Sequence, residues 1–295
     1  MANDEIKIDI PPWLNDPFEA PLDYIGLNWP LVVCFGGGLN STALLVKWTL
    51  DGNGPVDRIL FADTGGERPE TYEHIRRFSD WLVVNGQPPI EVIRKGGRQE
   101  TLEEDVLRRS TLPSIAFGGF KTCSIKYKVQ PQEQTINKWE MARRFWKNNN
   151  KVIKIVGYGY EEQKRIAKAR LEDEKYYLRF PLNEWKVDRD GCVEIVKRAG
   201  LPVPGKSSCF FCPSTKKEEI LALPPELKAR AIRIEVQAKE KGLKSIKGLG
   251  RYFSWQEFLD GKQDVPEAPA ESCMYCVDDN GDSKSSCASQ DDEEL

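Results

Sequence analysis

Histidine is almost missing from this chain: His74 is the only one in 295 residues. A multi-histidine metal site is therefore excluded, and a Ser-His-Asp relay nearly so. His74 falls in a helical pattern beside Arg76 and Arg77, which predicts a surface position. Long apolar runs are also missing. The longest are strand-sized, so no membrane span and no membrane partner are expected. The first residues, MANDEIKIDIPP, lack the basic and apolar regions of a secretory signal. A soluble, cytoplasmic protein is the expectation. In a reducing compartment the eight cysteines do not read as a disulfide framework. They are free thiols, metal ligands or nucleophiles.

Charge of one sign is scarce in the tail. From Asp264 onward there are ten acidic residues and one lysine, while the preceding 263 residues carry 42 basic and 36 acidic ones. The body is mildly basic. The tail reads either as a solvated segment or as one that folds over a basic site and competes with nucleic acid.

What is present has a strand–helix rhythm. WPLVVCF, DRILFAD, IEVIRK and KVIKIVGY read as four strands. STALLVKWTLDG, ended by Gly52, and RPETYEHIRRFSDWLVVNG, with Pro69 near its start, read as helices between the first three. QPQEQTINKWEMARRFWKN is a helix before the fourth strand; VEIVKRAG and residues 224–242 are helices after it. Alternation of this kind implies right-handed crossovers. The fold class is α/β, a doubly wound, Rossmann-like parallel sheet with a small Cys-containing C-terminal part. The division is 1–28 as an extension, 29–220 as the main α/β domain with its Cys site, 221–260 as a basic helical segment, and 261–295 as an acidic, disordered tail.

CFGGGLNSTALLV, residues 34 to 46, is the most telling stretch. A buried strand ends in Gly36, Gly37 and Gly38, then Asn40, Ser41 and Thr42 open a helix. Glycines let backbone N–H groups approach an anion, the hydroxyls add donors, and the helix points its positive end at the loop. It lacks the Gly-Lys-Ser/Thr ending of a Walker A loop and the G-x-G-x-x-G dinucleotide spacing. In a parallel sheet such a turn lies where ligands bind. Asp63 and Thr64 end the second strand at the same edge. Glu162 and Arg165 follow the fourth, where an Arg can hold a phosphate as a bidentate fork or simply bridge its neighbouring Glu.

Gly36 to Ser41 resembles the S-G-G-x-D-S/T pyrophosphate loop of the PP-loop adenine nucleotide alpha hydrolase superfamily. Gly36 stands in place of Ser and Asn40 in place of Asp; Asn keeps an acceptor without the charge that would help hold Mg²⁺. FADTGGERPETYEHI resembles the ADTG-x-E-x-P-E-T-Y stretch of the phosphoadenosine phosphosulfate (PAPS) reductase branch. VGYGYEEQKR resembles its G-I-x-x-x-E-x-x-R segment, and residues 180–213 resemble the downstream part of phage and bacterial members. The likeness spans residues 30–220 in order.

The resemblance implies an adenine nucleotide, ATP or PAPS-like, bound by Gly36, Gly37, Gly38, Asn40, Ser41, Thr42, Asp63, Thr64, Glu162 and Arg165. It places Arg165, Ser41 and Asn40 in catalysis. It also implies a metal set of Cys123, Cys192, Cys209 and Cys212, holding a [4Fe–4S] cluster or Zn²⁺. The rival set is Cys209, Cys212, Cys273 and Cys276, two C-x-x-C pairs separated by 60 residues. Cys34 reads as core.

Two reactions follow from the resemblance: ATP cleavage that adenylates an acceptor, or transfer of a sulfonate to a thiol. ESCMYC (271–276) lacks the Gly and His of the E-C-G-L/I-H segment of assimilatory reductases, so sulfur or adenylyl transfer on tRNA or DNA is the expectation, with a sulfur or electron donor protein as partner. Lys228, Arg230, Arg233, Lys239, Lys241, Lys244, Lys247 and Arg251 would meet the nucleic acid, or form a solvated face. The alternatives are a non-catalytic nucleotide-binding or sensing subunit and a sulfonucleotide reductase.

Overall fold

The computed structural model describes residues 29–96, 100–117, 122–243, 246–250 and 252–262. Five parallel strands run β3-β2-β1-β4-β5 across one sheet. They are β1 (Leu31–Phe35), β2 (Arg58–Ala62), β3 (Ile90–Ile93), β4 (Val152–Val156) and β5 (Tyr176–Arg179). Cys34 pairs with Leu60 on one side and Val156 on the other, so β1 is the central strand. Its side chains are apolar on both faces, as a strand covered by helices on both sides requires. The α/β class expected from the sequence is the fold observed. β5 was not expected: YYLR is a short edge strand whose aromatic and charged residues give no clean alternation.

Two cores flank the sheet. Val33, Phe35, Ile59, Phe61, Ile153 and Ile155 pack under α1 (Leu39–Leu50), α2 (Pro69–Val84) and the helix Arg189–Arg198. Val32, Leu60 and Val152 point the other way, onto Ile136 and Ala142. Trp48, Leu44 and Leu45 are fully buried, each contributing roughly 1.5–3 kcal/mol. The helix expected as one piece before β4 is two, Gln130–Lys138 and Glu140–Lys147, because Trp139 is extended between them (φ −74°, ψ 120°).

A third core gathers α3 (Leu102–Arg108), Phe210, Phe211 and the helix Pro225–Glu240, with Leu249, Phe253 and Trp255. The basic helix therefore packs on the same cluster as the CFFC segment. Glu235, fully buried, accepts from the backbone N–H of Leu249 (2.7 Å) and Trp255 (3.0 Å) and holds this end together. The acidic tail, with Cys273, Cys276 and Cys287, lies outside the described residues, as does the N-terminal extension. No helix among the described residues is long and apolar enough to cross a membrane.

Candidate nucleotide site

Strand order reverses direction between β1 and β4, and the crevice beyond their carboxyl ends is where open α/β sheets take ligands. The glycine loop sits there. Gly37 has φ +76°, and a Cβ on it would meet Phe61 at 3.0 Å and Ser207 Oγ at 3.2 Å. On the β4 side a Cβ on Gly157 would fall 2.9 Å from Ser41 Cα. The two glycines let α1 begin against the end of β4. Gly38, the residue before α1, offers no side-chain cap. The amides of the first turn have no acceptor within the helix, by the geometry of any helix start. Unpaired backbone amides of this kind are the donors that an anion at a helix start uses.

The hydroxyls have a different role from the one expected. Ser41 Oγ accepts from the Gly36 N–H (3.2 Å) and donates to Gly38 O (3.1 Å). Thr42 Oγ1 donates to the same carbonyl (2.9 Å). Both fix the shape of the loop, and both side chains are buried. Thr42 Oγ1 also meets His74 Nε2 at 2.9 Å. Since the hydroxyl proton goes to Gly38 O, the ring nitrogen is the donor. His74 stacks on Phe78 (5.6 Å between centroids, 9° apart) and lies near Phe35. The surface position expected for His74 is corrected: it supports the loop from below, and burial lowers its pKa.

Glu162 links β4 to α1. Its Oε2 accepts from Asn40 Nδ2 (3.1 Å) and from the Gly159 N–H (3.0 Å), and its Oε1 pairs with Arg165. Arg165 lies 4.1 Å over the ring of Tyr158, which stacks on Phe180. Asn40, Glu162 and Arg165 are thus brought together, and the bridge between Glu162 and Arg165 forms as well.

Asp63 and Thr64 sit at the expected sheet edge but face inward. Asp63 Oδ1 accepts from the Gly65 N–H (2.7 Å) and Tyr72 OH (2.8 Å), while Arg94 forks onto Oδ2 at 2.8 and 2.6 Å. Burial and Asp63 together push the Tyr72 hydroxyl pKa up. Thr64 Oγ1 meets Cys209 Sγ at 3.1 Å. An antiparallel bridge pairs Glu67 with Cys209, and Phe210 N–H donates to Gly66 O (2.8 Å). The CFFC turn is therefore laid along the end of β2.

Sequence reasoning missed a chain of polar contacts here. Lys128 Nζ donates to Glu67 Oε1 (3.0 Å), and Ser207 Oγ reaches Glu67 Oε2 (3.3 Å) and donates to Gly36 O (2.7 Å). Glu67 is 3% exposed. Burial opposes the Lys128 charge, yet Glu67 and the two neighbouring thiols hold its pKa above the ordinary value. The only signal in the sequence is the E of the DTGGE stretch. Neither KYK nor GKSS declares a partner.

The four cysteines expected to share a metal are not brought together. Cys192 is buried in the core under α1, its thiol pushed up to about 12, first by burial and then by Glu161. Cys123 and Cys209 pack against the third core instead. Burial, then Glu67, raises the Cys209 thiol. A metal thiolate set needs its donors converging within about 2.3 Å of one ion, and Cys192 belongs to another packing cluster. Among the described residues no three His, Cys, Asp or Glu side chains are grouped as metal ligands. Cys34 is held within β1, its thiol raised to about 11 by burial.

The basic helix is partly neutralised. Arg230 forks onto Glu103 and covers Phe210 at 4.5 Å; Lys228 donates to Leu221 O (2.7 Å); Lys239 pairs with Glu235. Arg233, Lys241 and Lys247 are exposed, and Lys244 and Arg251 lie outside the described residues.

No protein-family model matches the chain, and no curated protein sequence matches it. Among solved structures, the crystal structure of phosphoadenylyl-sulfate (PAPS) reductase from Candida auris, in a phosphate complex, is similar at 16% identity. It covers 61% of this chain and 81% of that one, with a TM-score of 0.40. A likeness of that size decides nothing about chemistry.

Proposed function

We propose that the chain binds an adenine nucleotide by its phosphate groups at Gly36–Ser41, and that it is a PAPS reductase-like PP-loop enzyme of adenylyl or sulfur transfer. The observation that carries the reading is the open start of α1 behind three glycines, set at the reversal point of the sheet. The loop amides and the helix start offset phosphate charge. Arg165, held by Glu162 and Tyr158 on the segment that also anchors Asn40, is the cation placed to stabilise charge as the bond to the leaving phosphate breaks. In the adenylyl reaction an acceptor attacks the α phosphorus and pyrophosphate leaves. The exposed Arg233, Lys241 and Lys247 are where a tRNA or DNA acceptor would be met.

A second reading, a nucleotide-binding or sensing subunit, is favoured by one observation. The carboxylates that end β2 and follow β4, Asp63, Glu67 and Glu162, are each engaged by protein donors, and Asn40 brings an amide in place of a carboxylate. A Mg²⁺ ion would have to rely on the nucleotide's own oxygens. Pyrophosphate release from ATP, with and without RNA or DNA, tests the enzyme reading. Release that depends on the acceptor supports it. Saturable ATP binding without release supports the subunit, and adenosine 3′,5′-bisphosphate released from PAPS with a thiol donor supports the reductase.

A further inference from the structure

The antiparallel bridge between Glu67 and Cys209 is an isolated one, and the residue next to it is Arg68 on one segment and Ser208 on the other. In the antiparallel sense these two backbone positions lie across from each other. Both carry buried polar atoms without a partner among the described residues: Arg68 Nε and Nη2, and Ser208 Oγ. Nε and Nη2 form one edge of the guanidinium, the edge that grips two oxygens of one oxyanion. The acidic neighbour, Glu67, does not serve as its counterion, because Lys128 and Ser207 occupy that carboxylate. A buried cation edge and a hydroxyl with no acceptor are a donor set shaped for an anion.

We propose that Arg68 and Ser208 form a binding site for a phosphoryl or sulfonyl oxyanion, adjacent to the glycine loop and distinct from it. The neighbouring Ser207 lies against the loop, its Cβ 3.5 Å from where a Cβ on Gly38 would be. The oxyanion is either a free inorganic ion or a second anionic group on the nucleotide. The site stands whether or not the loop holds a nucleotide.

The test is calorimetric titration of the full chain with inorganic phosphate at constant ionic strength, alone and with AMP or adenosine 3′,5′-bisphosphate present. Phosphate binding that survives AMP, and that weakens about tenfold or more in Arg68→Gln, establishes the site. Arg68→Lys keeps the charge and loses the fork, so it should bind phosphate more weakly than the parent protein. Displacement by the bisphosphate and not by AMP assigns the oxyanion to the nucleotide; binding alongside both assigns it to a free ion. Phosphate binding without any nucleotide binding leaves this site standing and removes the nucleotide reading of the loop. Should Arg68→Gln fail to fold, Ser208→Ala decides, with an expected several-fold loss. No phosphate binding, or binding unchanged in both Arg68→Gln and Ser208→Ala, overturns the proposal.

Discussion

Asn40 Nδ2 donates to Glu162 Oε2 across 3.1 Å, tying the first turn of α1 to the segment after β4. The same carboxylate holds the Gly159 N–H and Arg165. An amide at position 40 is therefore matched to its partner. A carboxylate there would face another carboxylate.

Asn40→Asp should destabilise the protein by about 1–3 kcal/mol at neutral pH, since it trades a donor for a like charge. The loss should shrink as pH falls and one carboxyl takes a proton. Glu162→Gln in the same chain should restore most of it. Urea denaturation of the two single variants and the double variant measures this. A single Asn40→Asp that is as stable as the parent protein would show that the contact contributes nothing.

The loop's local structure is readable from residues 34–46 because glycines, helix start and strand end are all local. So are the strands around it, where Val32, Val33, Ile59, Val152, Ile153 and Ile155 are all buried. The capping box of α3, Thr101 with Glu104, is written in TLEE, but a helix of two turns shows too little periodicity to stand out. What the sequence could not convey was which side chains spend their hydrogen bonds on one another. Asp63 and Arg94 are 31 residues apart, and Thr64 and Cys209 145 apart. Ser41 and Thr42 look like ligand donors until Gly38 O is seen to take both. Cys192 matched a family segment, yet helix packing against α1 removes it from the other thiols.

His74 predicts a dependence on acid. Burial lowers its folded pKa below the ordinary ~6.5. Between the two values the unfolded chain binds more protons, so stability rises with pH there. The contribution is fully present above pH ~6.5 and is lost as pH falls toward the folded value. Melting temperatures taken from mildly alkaline to mildly acidic buffer should fall more steeply for the parent protein than for His74→Gln. Parallel curves would mean that His74 titrates as it does in water.

Gly157→Ala tests whether the close approach of β4 to α1 shapes the cradle. The new methyl group would lie 2.9 Å from Ser41 Cα and 3.0 Å from Ser41 N, both backbone atoms that cannot rotate away. The start of α1 must shift. ATP affinity should drop by roughly tenfold, about 1.4 kcal/mol, while circular dichroism stays that of the folded protein. Gly200→Ala is the control for a glycine substitution away from the crevice: nothing lies within 4 Å of its Cβ, but its φ of +72° makes it strained. It should lower stability and leave ATP affinity unchanged. Equal affinity in both variants would remove Gly157 from the site.

Lys128 and Glu67 predict a case where removing two charges is milder than removing one. The Glu67 side chain is fully buried, and Lys128 is its ammonium partner at 3.0 Å. Lys128→Met leaves the carboxylate in the interior with Ser207 as its remaining side-chain partner among the described residues. An uncompensated buried charge costs about 3–5 kcal/mol. Because Lys128 itself is 36% exposed, water can reach its place and the loss should be nearer ~2 kcal/mol. Glu67→Gln in the Lys128→Met chain removes the stranded charge and keeps an acceptor for Ser207, so it should recover at least half of the loss. The Ser207 contact to Gly36 O passes the change on to the loop, so Lys128→Met should also weaken ATP binding, and the double variant should regain it. Denaturant titration and ATP titration on the three variants read the two effects separately. If the double variant is less stable than Lys128→Met, Glu67 is not the charge that Lys128 neutralises.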